Sequence, residues 1–147
     1  MKLTVSKLNN FLLFKLPSAF FCGVRVKEID VNKCVVSVKH RWINQNPFNS
    51  MYFAVQAMAA ELSTGALVMF QIAKSGRKIS MLVANNKGNF TKKATGRITF
   101  TCNDGHLIEK AILETIATGE GQTFWMKSIG TNETGIQVSE MDFEWSV

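Results

Sequence analysis

The stretch 46-NPFNSMYFAVQAMAAELSTGALVMFQIA-73 carries one charged residue, Glu61, among alanines, methionines and other apolar side chains. A run of this length is either a membrane span or a helix enclosed by the rest of a fold, because an exposed helix shows a polar face. Gln56, Ser63, Thr64 and Gln71 interrupt it and strand-like sequence flanks it on both sides, which favours a buried helix over about 50–74 and no membrane span. Ala54, Ala57, Ala59, Ala60, Ser63, Gly65 and Ala66 would let a sheet approach that helix closely. Glu61 then stands out. Burying an ionised carboxylate without a partner costs as much as a sizeable part of a domain's net stability. Such a group is either held structurally, by a cap or an opposite charge, or kept for use.

The flanking sequence alternates as strands do. In 34-CVVSVKHRWI-43, Cys34, Val36, Val38, His40 and Trp42 share one face. A shorter strand is expected over 24–31. The run 79-ISMLVA-84 reads as an apolar strand followed by a turn at 85-NNKGN-89, and 91-TKKATGRITFTC-102 alternates again. Two last strands, 123–130 and 135–147, are joined by the hairpin signal 131-TNETG-135, with a bulge expected near Ser139 and Glu140 where the apolar phase slips. Helices are predicted over the first 20 residues, stopped by Pro17, and over 106–118, capped by Asn103 or Asp104 and ended at Gly119. Asn49 or Ser50 is the expected N-cap of the central helix. This order predicts one α+β domain over residues 1–147, an antiparallel sheet folded around a central helix.

Composition narrows the function classes. The net charge of +6 favours anionic partners. Its basic residues fall in small groups, Lys74, Arg77 and Lys78, then Lys92, Lys93 and Arg97, and do not form the stripe that nucleic-acid binding requires. A nucleic-acid or membrane-surface protein is therefore the weakest reading. Cys22, Cys34 and Cys102 are odd in number and lack a CxxC motif or a histidine at ligand spacing, so no metal is expected. They read as inert thiols in a reducing, cytoplasmic setting. His40 and His106 read as structural. The segment 11-FLLFKLPSAFFCG-23 is broken by Lys15 and Pro17 and has no small-x-small cleavage site, which argues against an export signal.

With the element order, 46-NPFNSMY-52 and 60-AELSTG-65 carry a resemblance. The chain resembles the hot-dog fold, and most closely the small acyl-CoA thioesterase-like proteins, including the branch related to the phenylacetate-pathway thioesterases. There N-x-x-G-[ST]-x-[YF] opens the central helix and A-[ED]-x-x-x-G follows. Here those positions read Asn46, Asn49, Ser50 and Tyr52, then Ala60, Glu61 and Gly65. Asn49 stands where a glycine is expected, and Pro47 and Phe48 lie near the place of the His-Gly-Gly lead-in of catalytic relatives.

The resemblance implies a curved antiparallel sheet around one helix and a thioesterase-like hydrolase acting on an acyl-CoA thioester. It implies no cofactor beyond the coenzyme A of the substrate, and a homodimer or dimer of dimers. Within one chain Glu61 lies about three turns from the helix start, roughly 15 Å, too far for one carbonyl to touch both. The family's answer is a site at the dimer seam, where the helix start of one subunit faces the carboxylate of the other. On that basis Glu61 would act as general base or nucleophile. Asn46, Asn49 and Ser50 would position the thioester or water, the Met51 N–H would polarise the carbonyl, and Gly65 would join the substrate-binding set. Lys92, Lys93 and Arg97 would meet the phosphates of coenzyme A. By residue type alone, Asn46 is more often a turn former than a substrate ligand, and Ser50 more often a cap. The alternative on the same fold is a non-catalytic acyl-CoA or acyl-carrier binding protein.

Overall fold

The computed structural model describes residues 2–147. Along the chain lie α1 (Val5–Lys15), α2 (Pro17–Phe21), β1 (Arg25–Ile29), β2 (Cys34–Lys39), a 3-10 turn (Trp42–Asn44) and α3 (Phe53–Ser75). There follow β3 (Leu82–Phe90), β4 (Arg97–Cys102), α4 (Gly105–Thr118), β5 (Thr123–Thr131) and β6 (Gln137–Ser146). The strands form one antiparallel sheet in the order β1-β2-β4-β5-β6-β3. It wraps α3, which packs against β1, β2, β4, β5 and β6.

Small residues make the wrapping possible. Ala59, Ala60, Ser63, Gly65 and Ala66 of α3 are all buried, and a Cβ on Gly65 would come 2.9 Å from Cζ2 of Trp145 on β6. The helix is also fastened by its few polar side chains. Ser63 Oγ lies 2.7 Å from Ser128 Oγ on β5, Ser139 Oγ on β6 donates to Gln56 Oε1 at 2.9 Å, and Gln71 Nε2 donates to the Val31 carbonyl at 2.9 Å. Each buried polar group of α3 in these contacts thus finds a partner on the surrounding strands or the turn between β1 and β2, as the cost of an unmet one requires.

The helical and strand order is as expected, and three local expectations are corrected. As expected, α1 stops at Lys15 just before Pro17; Pro17 then starts the short α2 at its first position, where its missing N–H costs nothing. The strand predicted over 34–43 stops at Lys39. Buried Asn44 bends the chain: its Nδ2 donates to the carbonyls of Cys22 and Lys39, and its Oδ1 accepts from the Arg41 N–H. Trp42 is thereby turned out, 84% exposed, instead of sharing a face with Val36 and Val38. The turn expected at Asn85–Asn89 is strand, because β3 pairs with β6 through Asn86↔Phe143 and Gly88↔Met141. Pairing satisfies that backbone better than a local turn would. Asp104 does sit at the N-cap of α4, but its carboxylate accepts from the Lys127 N–H at 2.7 Å and caps nothing. The bulge lies where β5 and β6 shift register at Gly130/Thr131, beside Val138 and Ser139.

Cys34 and Cys102 are cross-strand partners with buried, free thiols, and burial pushes both up to about 12. Neither is a nucleophile at neutral pH.

Candidate active site

The loop before α3 is organised by one side chain. Asn46 Oδ1 accepts from the N–H groups of Phe48 (2.9 Å) and Ser50 (3.2 Å), and its Nδ2 donates to Ser50 Oγ (2.9 Å) and the Met51 carbonyl (3.3 Å). The tight turn this makes puts Asn49 at φ 56, a left-handed conformation in which asparagine is the best tolerated substitute for glycine. That accounts for Asn49 in the position where the resemblance expects glycine.

The same loop uses up the donors assigned to it. The Ser50 N–H goes to Asn46, the Met51 N–H to the Ala94 carbonyl at 2.8 Å, and the Tyr52 N–H to the Asn44 carbonyl at 2.9 Å. Met51 therefore cannot polarise a substrate carbonyl, and Ser50 is a partner of Asn46 instead of a helix cap. The N-cap of α3 is Tyr52, at φ −60 and ψ 133, with no capping side chain. Its own carbonyl accepts from Val55 and Gln56, and the N–H groups of Phe53 and Ala54 have no protein acceptor among the described residues. The open end of the helix dipole is thus two residues further on than the sequence suggested. The missing Ser, Thr, Asp or Asn at Tyr52 was the available signal.

Phe53 lines a cleft of about 520 Å³ that runs between the start of α3 and the end of β3. Asn46, Ser50 and Met51 form its floor, Phe48, Phe53 and Phe90 its apolar rim, and Lys92 and Lys93 one edge. Phe53 packs edge-on against Tyr52 (5.2 Å) and Phe90 (6.1 Å). Phe48, Tyr52, Phe53 and Phe90 are all exposed, an apolar grouping that marks a contact surface. Arg97 does not join the two lysines: it lies on β4 against Ser37 Oγ at 3.3 Å, beside a different pocket.

Glu61 sits eight residues into α3, about 12 Å beyond its start. Its carboxylate is half-buried and has neither a hydrogen-bond partner nor an ion pair among the described residues. Desolvation alone pushes it up from 4.5 to about 7. Glu61 borders a cavity of about 220 Å³ beneath α1 and α2, with Leu12, Lys15, Pro17, Ser18 and Met58. Gly65 lies one turn on, and a Cβ there would stand 3.3 Å from Glu61 Oε1. Gly65 therefore gives room to the carboxylate and to Trp145 and does not itself reach a cleft. The cavity at Glu61 and the cleft at the helix start share no lining residue.

The family profile described as "Domain of unknown function (DUF4442)" matches residues 6–147. Among solved structures, the chain is similar to a Pseudomonas aeruginosa protein of unknown function described as a "probable thioesterase", at 21% identity and TM-score 0.82, covering 99% of this chain and 96% of that one. It is also similar to a protein of unknown function from Chlorobaculum tepidum (14%, TM-score 0.85, 97% and 92% covered). A thioesterase from Haemophilus influenzae aligns as well (11%, TM-score 0.75, 99% and 91% covered). No curated protein matches the chain. At these identities the likeness is one of fold, and the fold is the hot-dog fold.

Proposed function

Because the chain belongs to the DUF4442 family and carries the hot-dog fold, we propose that it is a thioesterase-like hydrolase acting on an acyl-CoA thioester, with each site shared by two protomers. The observation that carries this reading is Glu61: a carboxylate without a partner, raised to about 7, on the helix whose open end faces a cleft. A base titrating there is poised to take a proton from water at neutral pH. The hydroxide so formed would attack the thioester carbon, and the N–H groups of Phe53 and Ala54 would hold the resulting oxyanion. Collapse breaks the C–S bond, and the proton held by Glu61 passes to the departing thiolate.

The nine-residue strand β3 supports the shared site. It is an edge strand, nearly all exposed, and it ends at Phe90 on the rim of the cleft. A twofold-related β3 would remove that edge and cover Leu82 and Phe90. In this reading the Glu61 of one copy serves the helix start of the other, and Lys92 and Lys93 receive coenzyme A phosphates at the rim.

The test of the revised donor is a proline. Tyr52 already has the extended backbone that a following proline demands, and Phe53 is the first helical position, so Phe53→Pro removes one N–H without breaking α3. Release of free CoA from acyl-CoAs of several chain lengths is expected to fall in Phe53→Pro by roughly a hundredfold to a thousandfold, and much less in Phe53→Ala. Equal losses in both would remove the N–H from the mechanism. Saturable acyl-CoA binding with no CoA release by the parent protein would favour a non-catalytic binder.

A further inference from the structure

The outer face of β1, β2 and β4 gathers basic side chains that are scattered in the sequence. Arg25 and Lys27 stand on β1, Lys39 and Arg97 are direct partners across β2 and β4, and Arg41 follows β2. With Gly23 they enclose a pocket of about 260 Å³ that no Asp or Glu lines. None of the five cations forms an ion pair among the described residues. Glu28 pairs with Lys33 at 2.7 Å, and Glu133 accepts from the backbone N–H of Arg97 at 2.7 Å.

Two of the guanidinium groups are anchored, those of Arg25 and Arg97. Gly23 lies at φ +93, a conformation that favours glycine, and a Cβ there would stand 2.5 Å from Arg41 Nη2, so a side chain at this position would push the end of Arg41 aside. The Arg41 backbone is tied to the buried Asn44 at 2.8 Å. Arg25 Nη1 donates to the carbonyls of Phe20 and Val24, both at 2.7 Å, with the Phe20 ring 3.6 Å beneath the guanidinium. Arg97 rests on Ser37 Oγ. Each guanidinium has five N–H donors and so keeps several free. Burial first, and the neighbouring Arg41 second, lower the pKa of Arg25. Like charges set opposite one another across strands destabilise a sheet, and an anion bound between them restores that loss.

We propose that this pocket is a second ligand site, separate from the cleft at the start of α3, for a small-molecule anion carrying at least two phosphate groups. Planar guanidinium forks match phosphate oxygens in pairs. Five cations exceed what one phosphate can neutralise, and a pocket of this size is concave enough for a small ligand. Coenzyme A and free nucleotides share that chemistry, and the experiment separates them.

Inorganic pyrophosphate, ADP and coenzyme A are titrated calorimetrically into the parent protein, into Lys27→Gln/Lys39→Gln/Arg41→Gln, and into the control Arg77→Gln/Lys78→Gln. The residues changed in both variants are exposed, and circular dichroism verifies that both variants are folded. Pyrophosphate is expected to bind the parent and raise its melting temperature. Its affinity should drop at least tenfold in the triple variant and stay the same in the control variant. Coenzyme A binding that pyrophosphate blocks but that greatly exceeds ADP in affinity assigns the pocket to the coenzyme; equal affinities assign it to nucleotides generally. The proposal is overturned if pyrophosphate shows no saturable binding, if the control variant loses it equally, or if only RNA or phosphatidylserine vesicles bind. No hydrolysis is read, so the result is independent of the proposed activity.

Discussion

Replacing Glu61 by glutamine is expected to lower acyl-CoA hydrolysis by roughly a hundredfold to ten-thousandfold, the usual contribution of a general base, while making the protein more stable above neutral pH. The two effects share one cause. Burial raises the carboxyl from 4.5 to about 7. Between those values the folded chain keeps a proton that the unfolded chain has released, so stability falls as pH rises through that window. Above it the whole penalty is present, on the order of 3 kcal/mol. Glutamine cannot ionise. Urea denaturation should show parent and Glu61→Gln alike near pH 4 and the variant more stable near pH 8, while the parent's rate rises with pH up to about 7. A variant less stable than the parent at both pH values would mean that Glu61 is held by a favourable partner.

The second large effect is on the fold that supports this group. Trp145 is 3% exposed, its indole lies over Gly65, and its Nε1–H donates to Thr64 Oγ1 at 2.9 Å. Thr64 in turn donates to the Glu61 carbonyl at 2.8 Å, so the indole braces the turn that carries the carboxylate. Trp145→Ala leaves a cavity beside the small residues of α3 and removes a buried hydrogen bond, a loss of about 3–5 kcal/mol. That is a large part of the net stability of a typical domain. Trp42→Ala, at an 84% exposed position, should change it by no more than about 0.5 kcal/mol. Denaturation midpoints of the two variants measure the contrast, and near-equal midpoints would contradict the packing described.

The parts of the fold legible in the sequence were those set by long periodic signals. The apolar run with its alanines and interrupting polar residues read as a wrapped helix, and Ile136 to Trp145 announced both a strand and its slip in phase. What was not legible depended on contacts between distant residues. Nothing in 34-CVVSVKHRWI-43 shows that Asn44 will reach the carbonyls of Cys22 and Lys39 and end the strand early. Asn85–Asn89 has the composition of a turn until β6 is set beside it. The site follows the same division. Glu61 was conspicuous because its charge contradicts its surroundings, a local fact. That Met51 N–H is spent on Ala94, or that Arg97 belongs with Arg25 and Arg41 and not with Lys92 and Lys93, is settled only by the sheet.

The proposed site works only if its two halves meet across a subunit boundary. Glu61→Gln and Phe53→Pro each disable one half, so either variant alone should release little CoA. Co-expressed, they should form mixed dimers in which one of the two sites joins an intact carboxylate to an intact helix start. Random pairing makes about half the dimers mixed, so roughly a quarter of the parent rate should return. If the mixed dimers form and release CoA no faster than the single variants, Glu61 does not act across a seam, and the proposed site is wrong.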